Sequence, residues 1–234
     1  MLALCVVIAA LPPSASLPYI VGGEEAEKGS IPYIASIRTG GWNGCGGVLI
    51  RTSQKNESDL ILTAAHCISQ ELARYKVHLG AHYSNAEIEG EEAVDIRTAI
   101  RHPSYHDSGS LHDIAVLQLI RSVKFSSSIQ PIALPSKAEW TPVSTTCWAS
   151  GWGMTENTSI AVALRYVNLT YVTDDECLEK HGGTFVSEYM ICAGNIPGFH
   201  HMSNGLKRKK SIYKMCRISI SVLFLQQFQY LFSY

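Results

Sequence analysis

The chain has 234 residues, 46% of them hydrophobic, enough apolar material for one large all-β domain or two small ones, which excludes a disordered tail or linker. The formal net charge of −1 hides an asymmetry: residues 206–234 hold six Lys or Arg and no acid, leaving 13 basic against 20 acidic residues, or −7, for residues 1–205. A mildly acidic body points away from a nucleic-acid partner.

Residues 2–11 form an uncharged apolar run, followed by Pro12-Pro13 and the small residues Ser14-Ala15-Ser16. This pattern is that of a secretory signal over residues 1–16, with a short propeptide at 17–19; a buried strand is the alternative. The expected location is therefore secreted and extracellular. Loss of the signal removes Cys5 and leaves six cysteines in an oxidising compartment, where disulfides persist. Asn56, Asn157 and Asn168 each stand in an Asn-x-Ser/Thr sequon, consistent with glycosylation on that route.

From Ile34 to Leu119, short runs rich in Val, Ile, Leu and Tyr alternate with Gly, Pro, Asn and Ser. They predict strands at 34–38, 47–51, 60–63, 75–79, 93–100 and 114–119, a set that suits a closed antiparallel barrel. Residues 131–140 read as a crossing. A second set of strands is expected at 145–149, 164–172 and 189–193, with a short helix at 174–181 capped by Asp174. That set is about half of what a second barrel requires.

Several motifs occur in a telling order: Ile20-Val21-Gly22-Gly23, Gly44-Cys45-Gly46-Gly47-Val48-Leu49-Ile50, Thr63-Ala64-Ala65-His66-Cys67, Asp113-Ile114-Ala115-Val116-Leu117, Cys147-Trp148-Ala149-Ser150-Gly151-Trp152-Gly153 and Met190-Ile191-Cys192-Ala193-Gly194. Over residues 20–198 the chain thereby resembles the trypsin/chymotrypsin-like serine proteases. The resemblance implies an all-β, chymotrypsin-like double antiparallel β-barrel with its active site between the barrels. The first barrel is expected to be complete and the second incomplete, with 199–234 a divergent tail. It also implies His66 as the base and Asp113 as the residue orienting it, with no cofactor. An aspartate entering the apolar run Ile114-Ala115-Val116-Leu117 would be costly without a hydrogen-bonded partner, which independently marks Asp113.

The nucleophile should follow the Cys192 motif, flanked by glycines that let the backbone turn tightly and aim amides at an oxyanion. No Gly-Asp-Ser-Gly-Gly is present. Ser203, in His201-Met202-Ser203-Asn204-Gly205, is a weak candidate and Ser211 a weaker one, so this chain is expected to be inactive. The resemblance places activation cleavage between Tyr19 and Ile20, where no Lys or Arg precedes the bond. It pairs Cys45 with Cys67 and Cys177 with Cys192, and leaves Cys147 without its family partner: a free thiol is expected, a bridge to Cys216 the alternative.

Metal binding is expected nowhere. His78/His82 and His102/His106 have four-residue spacing in strand or turn contexts, which does not bring two rings to one face. Glu87, Glu89, Glu91 and Glu92 occupy a loop that binds calcium in some relatives, Glu89 and Glu92 standing where ligands would, but the first ligand position is Ala81.

Residues 206–234 lack Gly, Pro, Ala, Asp and Glu, so they cannot supply the turns of a missing half-barrel. Their composition resembles translated non-coding sequence; a basic flank with a membrane anchor is the alternative, but the apolar segment 218–225 falls far short of the roughly 20 residues of a span. Three functions follow: a secreted serine endopeptidase acting on proteins or peptides whose serine segment is missing here, a catalytically dead homologue that binds or decoys, or a non-functional splice or frameshift product. A protease inhibitor is a further partner the resemblance allows.

Overall fold

The structure is a computed structural model. It describes residues 23–134 apart from 52, 70 and 108–110, residues 146–181 apart from 154 and 156–159, residues 191–194, and two short strands at 6–7 and 214–216. In chain order the strands are β1 (Val6–Val7), β2 (Glu24–Glu25), β3 (Ile34–Thr39), β4 (Trp42–Ile50), β5 (Glu57–Thr63), β6 (Tyr75–Leu79), β7 (Glu92–Arg101), β8 (Ala115–Lys124), β9 (Thr146–Gly151), β10 (Arg165–Val172), β11 (Ile191–Gly194) and β12 (Lys214–Cys216). Helix α1 spans Asp174–His181, and 3₁₀ turns cover Ala65–Cys67 and Leu72–Arg74.

Six antiparallel strands close on themselves in the order β3-β4-β5-β8-β7-β6. Alternation along each strand sends one row inward, and Ile37, Leu49, Ile61, Val77, Leu79, Leu117 and Leu119 meet in a core where each is at most 1% exposed. Burying a side chain of this size contributes about 1.5–3 kcal/mol. Register shifts at Ile37/Arg38, Ser58/Leu60 and Ile96/Thr98 supply the bends a closed sheet requires. β4 starts earlier than the apolar pattern suggests, at Trp42, because Asn43-Gly44-Cys45-Gly46-Gly47 is itself strand. One of its glycines records close packing: a Cβ on Gly47 would lie 2.8 Å from Ile61 Cγ2 and 3.1 Å from the Leu62 carbonyl oxygen. Similarly, β5 and β8 extend past their predicted ends into polar residues, Glu57 and Lys124, held by pairing with each other.

The second sheet runs β1-β9-β10-β11-β12, with β2 also on β10, and does not close among the described residues. The apolar run 2–11, read from sequence as signal or strand, contributes Val6–Val7 as a parallel strand on β9. The tail, whose composition lacks the turn residues of a half-barrel, adds Lys214–Cys216 to the edge of β11. An unpaired edge is a template that any extended segment can complete, whatever its composition. Backbone position rules out one pairing: Cys147 on β9 and Cys216 on β12 are three strands apart, about 14 Å at ordinary strand spacing and too far for a disulfide.

The helix falls on the predicted residues, but its cap is Thr173 rather than Asp174. The Glu176 amide donates to Thr173 Oγ1 at 3.4 Å and Thr173 Oγ1 donates to Glu176 Oε2 at 3.3 Å, an N-cap contact that places Asp174 inside the first turn. Segment 160–166 docks the second sheet onto the barrel. The Leu164 amide and Trp152 Nε1 donate to the His82 carbonyl at 2.7 and 2.9 Å, the Ala26 amide to Leu164, and the Ser84 amide to Val162. Around these bonds Ala26, Ile31, Ile34, Ala81, Trp152 and Leu164 form a small second core.

Candidate active site

The site is assembled by the pairing of β5 with β8. Thr63 stands opposite Ala115 at one end of the barrel. His66 lies three residues past Thr63 on the 3₁₀ turn, and Asp113 two residues before Ala115, so a separation of 47 residues in sequence becomes contact in space. Thr63 Oγ1 donates to the Gly46 carbonyl at 2.8 Å, and the Cys45–Cys67 disulfide ties β4 to the residue after the histidine. Both devices fix the turn from the β4 side.

Asp113 presents both carboxylate oxygens to one residue. Oδ1 accepts the His66 backbone N–H at 2.9 Å, and Oδ2 lies 2.7 Å from His66 Nδ1. The aspartate side chain is 3% exposed and the histidine 24%. A carboxylate so deeply buried needs charged-strength donors, and these two supply them. With the carboxylate ionised, Nδ1 carries the proton and Nε2 is left as the basic nitrogen. The Cys67 sulfur, 3.5 Å from Nε2, is in a disulfide and has no proton to give, so the lone pair stays available. For the same reason the cluster Cys45, His66 and Cys67, although tightly grouped, offers a cation no thiolates.

The approach to Asp113 is braced. His112 takes a left-handed conformation at φ 57°, and its ring stacks on His102 with centroids 4.7 Å apart. The His102 amide donates to the Ile114 carbonyl at 2.9 Å. His102 is thus engaged with His112 rather than with His106, its partner by spacing. His78 and His82 likewise diverge: His78 Nδ1 is 2.6 Å from Glu91, while His82 Nε2 is 3.3 Å from Glu25.

Other predicted residues fall as follows. Cys177 is disulfide-bonded; the side chain of Cys192 lies outside the described residues, as do Tyr19, Ile20, Asn157, Ser203 and Ser211. The nearest described residue to the activation bond is Gly23, whose carbonyl accepts from Arg165 Nη2 of β10. Asn56 stands in an exposed bend before β5, and Asn168 is exposed on β10. The sequence reading missed a buried ion pair, Arg38 with Glu91; its signal was an arginine closing the otherwise uncharged strand Ile34-Ala35-Ser36-Ile37-Arg38.

This fold and this histidine–aspartate pair are those of a chymotrypsin-like serine protease scaffold, and the trypsin family model matches residues 20–205. The chain belongs to the trypsin family. It is 31% identical over 188 residues to granzyme H of Homo sapiens, covering 79% of this chain and 73% of that one. Cathepsin G of Homo sapiens is 34% identical over 188 residues, with 79% and 70% covered, and trypsin II-P29 of Gallus gallus is 35% identical over 191 residues, with 81% and 72% covered. Among solved structures, neuropsin, a serine protease expressed in the limbic system of mouse brain, superposes with a TM-score of 0.65 at 26% identity, covering 84% of this chain and 81% of that one. No helix among the described residues is long and apolar enough to cross a membrane.

Proposed function

We propose that this chain carries the general-base half of a secreted serine endopeptidase and does not turn over peptides as it stands. The observation that carries the reading is the two-point hold of Asp113 on His66, which leaves Nε2 as the nitrogen available to take a proton on a ring that is 24% exposed. In acyl transfer that nitrogen takes the nucleophile's proton and later returns it to the leaving amine, while the aspartate stabilises the imidazolium between the two steps. Neither residue forms the bond to carbon; a hydroxyl must do so, and amides from its own turn must receive the oxyanion.

Residues 195–234 contain no serine flanked by glycines. Ser203 sits between Met202 and Asn204, whose side chains restrict the tight turn that glycine permits. Secretion is supported by the apolar run at 2–11, and protein or peptide substrates by the family. The test is a fluorophosphonate probe that reacts with activated serines. The full chain is expected to remain unlabelled, and stoichiometric labelling at Ser203 that disappears in His66→Ala would refute the reading.

A further inference from the structure

The loop between β6 and β7 is rich in acids, with Glu87, Glu89, Glu91 and Glu92 in one short stretch, and such a loop invites the question of which cation balances it. The residues present do not fit a bound divalent ion. Ala81 has no side-chain oxygen to give, and Glu92 is occupied by Arg121 at 2.6 Å. Glu91 is turned inward, its side chain 2% exposed, where Oε1 meets Arg38 Nη2 at 3.2 Å and His78 Nδ1 at 2.6 Å. Glu87 stays on the outside, 3.9 Å from His78. Glu89 is exposed.

Arg38 reaches this loop from β3, on the face opposite the row that sends Ala35 and Ile37 into the barrel core. Its guanidinium is buried, donating from Nη2 to the Tyr83 carbonyl at 2.7 Å and from Nε to Ser36 Oγ at 3.2 Å. Ser36 is fixed in turn by donating to Asn43 Oδ1 on β4 at 2.7 Å. One planar cation therefore joins the start of the loop, at Tyr83, to its end, at Glu91. The loop's neck is narrow: a Cβ on Gly80, at φ +73°, would lie 3.1 Å from the Gly90 carbonyl oxygen. The other oxygen of Glu91, Oε2, is buried and has no partner among the described residues, so within them the guanidinium and the imidazole are what meets this carboxylate.

We propose that the Arg38 guanidinium does the work of a bound cation in the loop 80–91, ordering it from within, so that the loop's acidic residues require no divalent ion. A buried pair of this kind makes its loss costly, because removing one partner strands the other charge away from water.

The test is amide hydrogen exchange on the full chain, following residues 83–91 in EDTA and in millimolar calcium, with β8 as a monitor of global folding. The parent chain is expected to exchange identically in both buffers. Arg38→Gln should exchange about tenfold faster in the loop, with Arg38→Lys between the two, as expected for local opening of a segment that has lost its buried pin. Calcium slowing the parent's loop, or Arg38→Gln leaving the loop as it was, would overturn the proposal. Should Arg38→Gln lose protection in β8 as well, the parent chain decides: no response to calcium supports the internal cation, and a response refutes it.

Discussion

The two halves of this molecule solve the same problem differently. In the first, six strands close into a barrel, every strand has two neighbours, and no edge is left to solvent. In the second, the path from β1 to β12 stays open among the described residues, and its outer strands are completed by a piece of the apolar run near the start of the chain and by a piece of the basic tail. Closure positions chemistry: His66 and Asp113 both ride on the closed half, at the end where β5 and β8 pair, and the reacting hydroxyl that such a pair serves belongs, by family, to the half that stays open. The histidine–aspartate pair is therefore fully formed on the closed half, and the proposed reading puts the deficit in the other, where the sequence carries no glycine-flanked serine after Gly194.

The contrast predicts unequal consequences of mutation. Leu117→Ala, at 0% exposure in the barrel core, is expected to cost about 2–5 kcal/mol through lost burial and the cavity left behind, read as a lowered midpoint in urea unfolding followed by barrel probes. Replacing Cys45 and Cys67 together by Ser opens a 22-residue separation and should cost about 2–4 kcal/mol in the same measurement. A loss confined to the second sheet in either variant would break the comparison.

In the second half the expected effects are smaller. Thr173→Ala removes the N-cap hydroxyl of α1 and should cost about 0.5–2 kcal/mol, checked by proteolytic susceptibility around 174–181 with barrel protection unchanged. Tyr33 lies against the core that joins the halves, and burial raises its pKa above 10.0. A raised folded pKa means the unfolded chain loses its proton first, so this residue's contribution is complete below pH 10 and declines as pH rises through the folded value. Tyr33→Phe should therefore flatten the alkaline arm of the stability profile, and an unchanged slope would show that other groups set it.

The barrel was legible in the sequence because its strands alternate and are punctuated by turn residues, and the pair His66 and Asp113 because they sit in motifs with few other uses. The start of β4 was not, since Gly44, Gly46 and Gly47 look like a loop, whereas at Gly47 it is Ile61 and the Leu62 carbonyl that leave no room for a side chain. Strands β2 and β12, two and three residues long, were equally hidden, because pairing with β10 and β11 rather than local pattern makes them strands. The helix cap was placed one residue late because Thr173 and Asp174 are both good caps, and only Glu176 reaching back to Thr173 decides between them. The Arg38–Glu91 pair joins residues far apart in the chain: an arginine ending an otherwise uncharged strand marks one partner, and only the fold supplies the other.

The most direct measurement is steady-state hydrolysis of a panel of activated peptide esters by the purified full chain, run beside His66→Ala. Rates for the two proteins should coincide with each other and with buffer. Turnover by the parent that vanishes in His66→Ala would mean that a serine in the divergent tail completes the site, and would contradict an inactive chain.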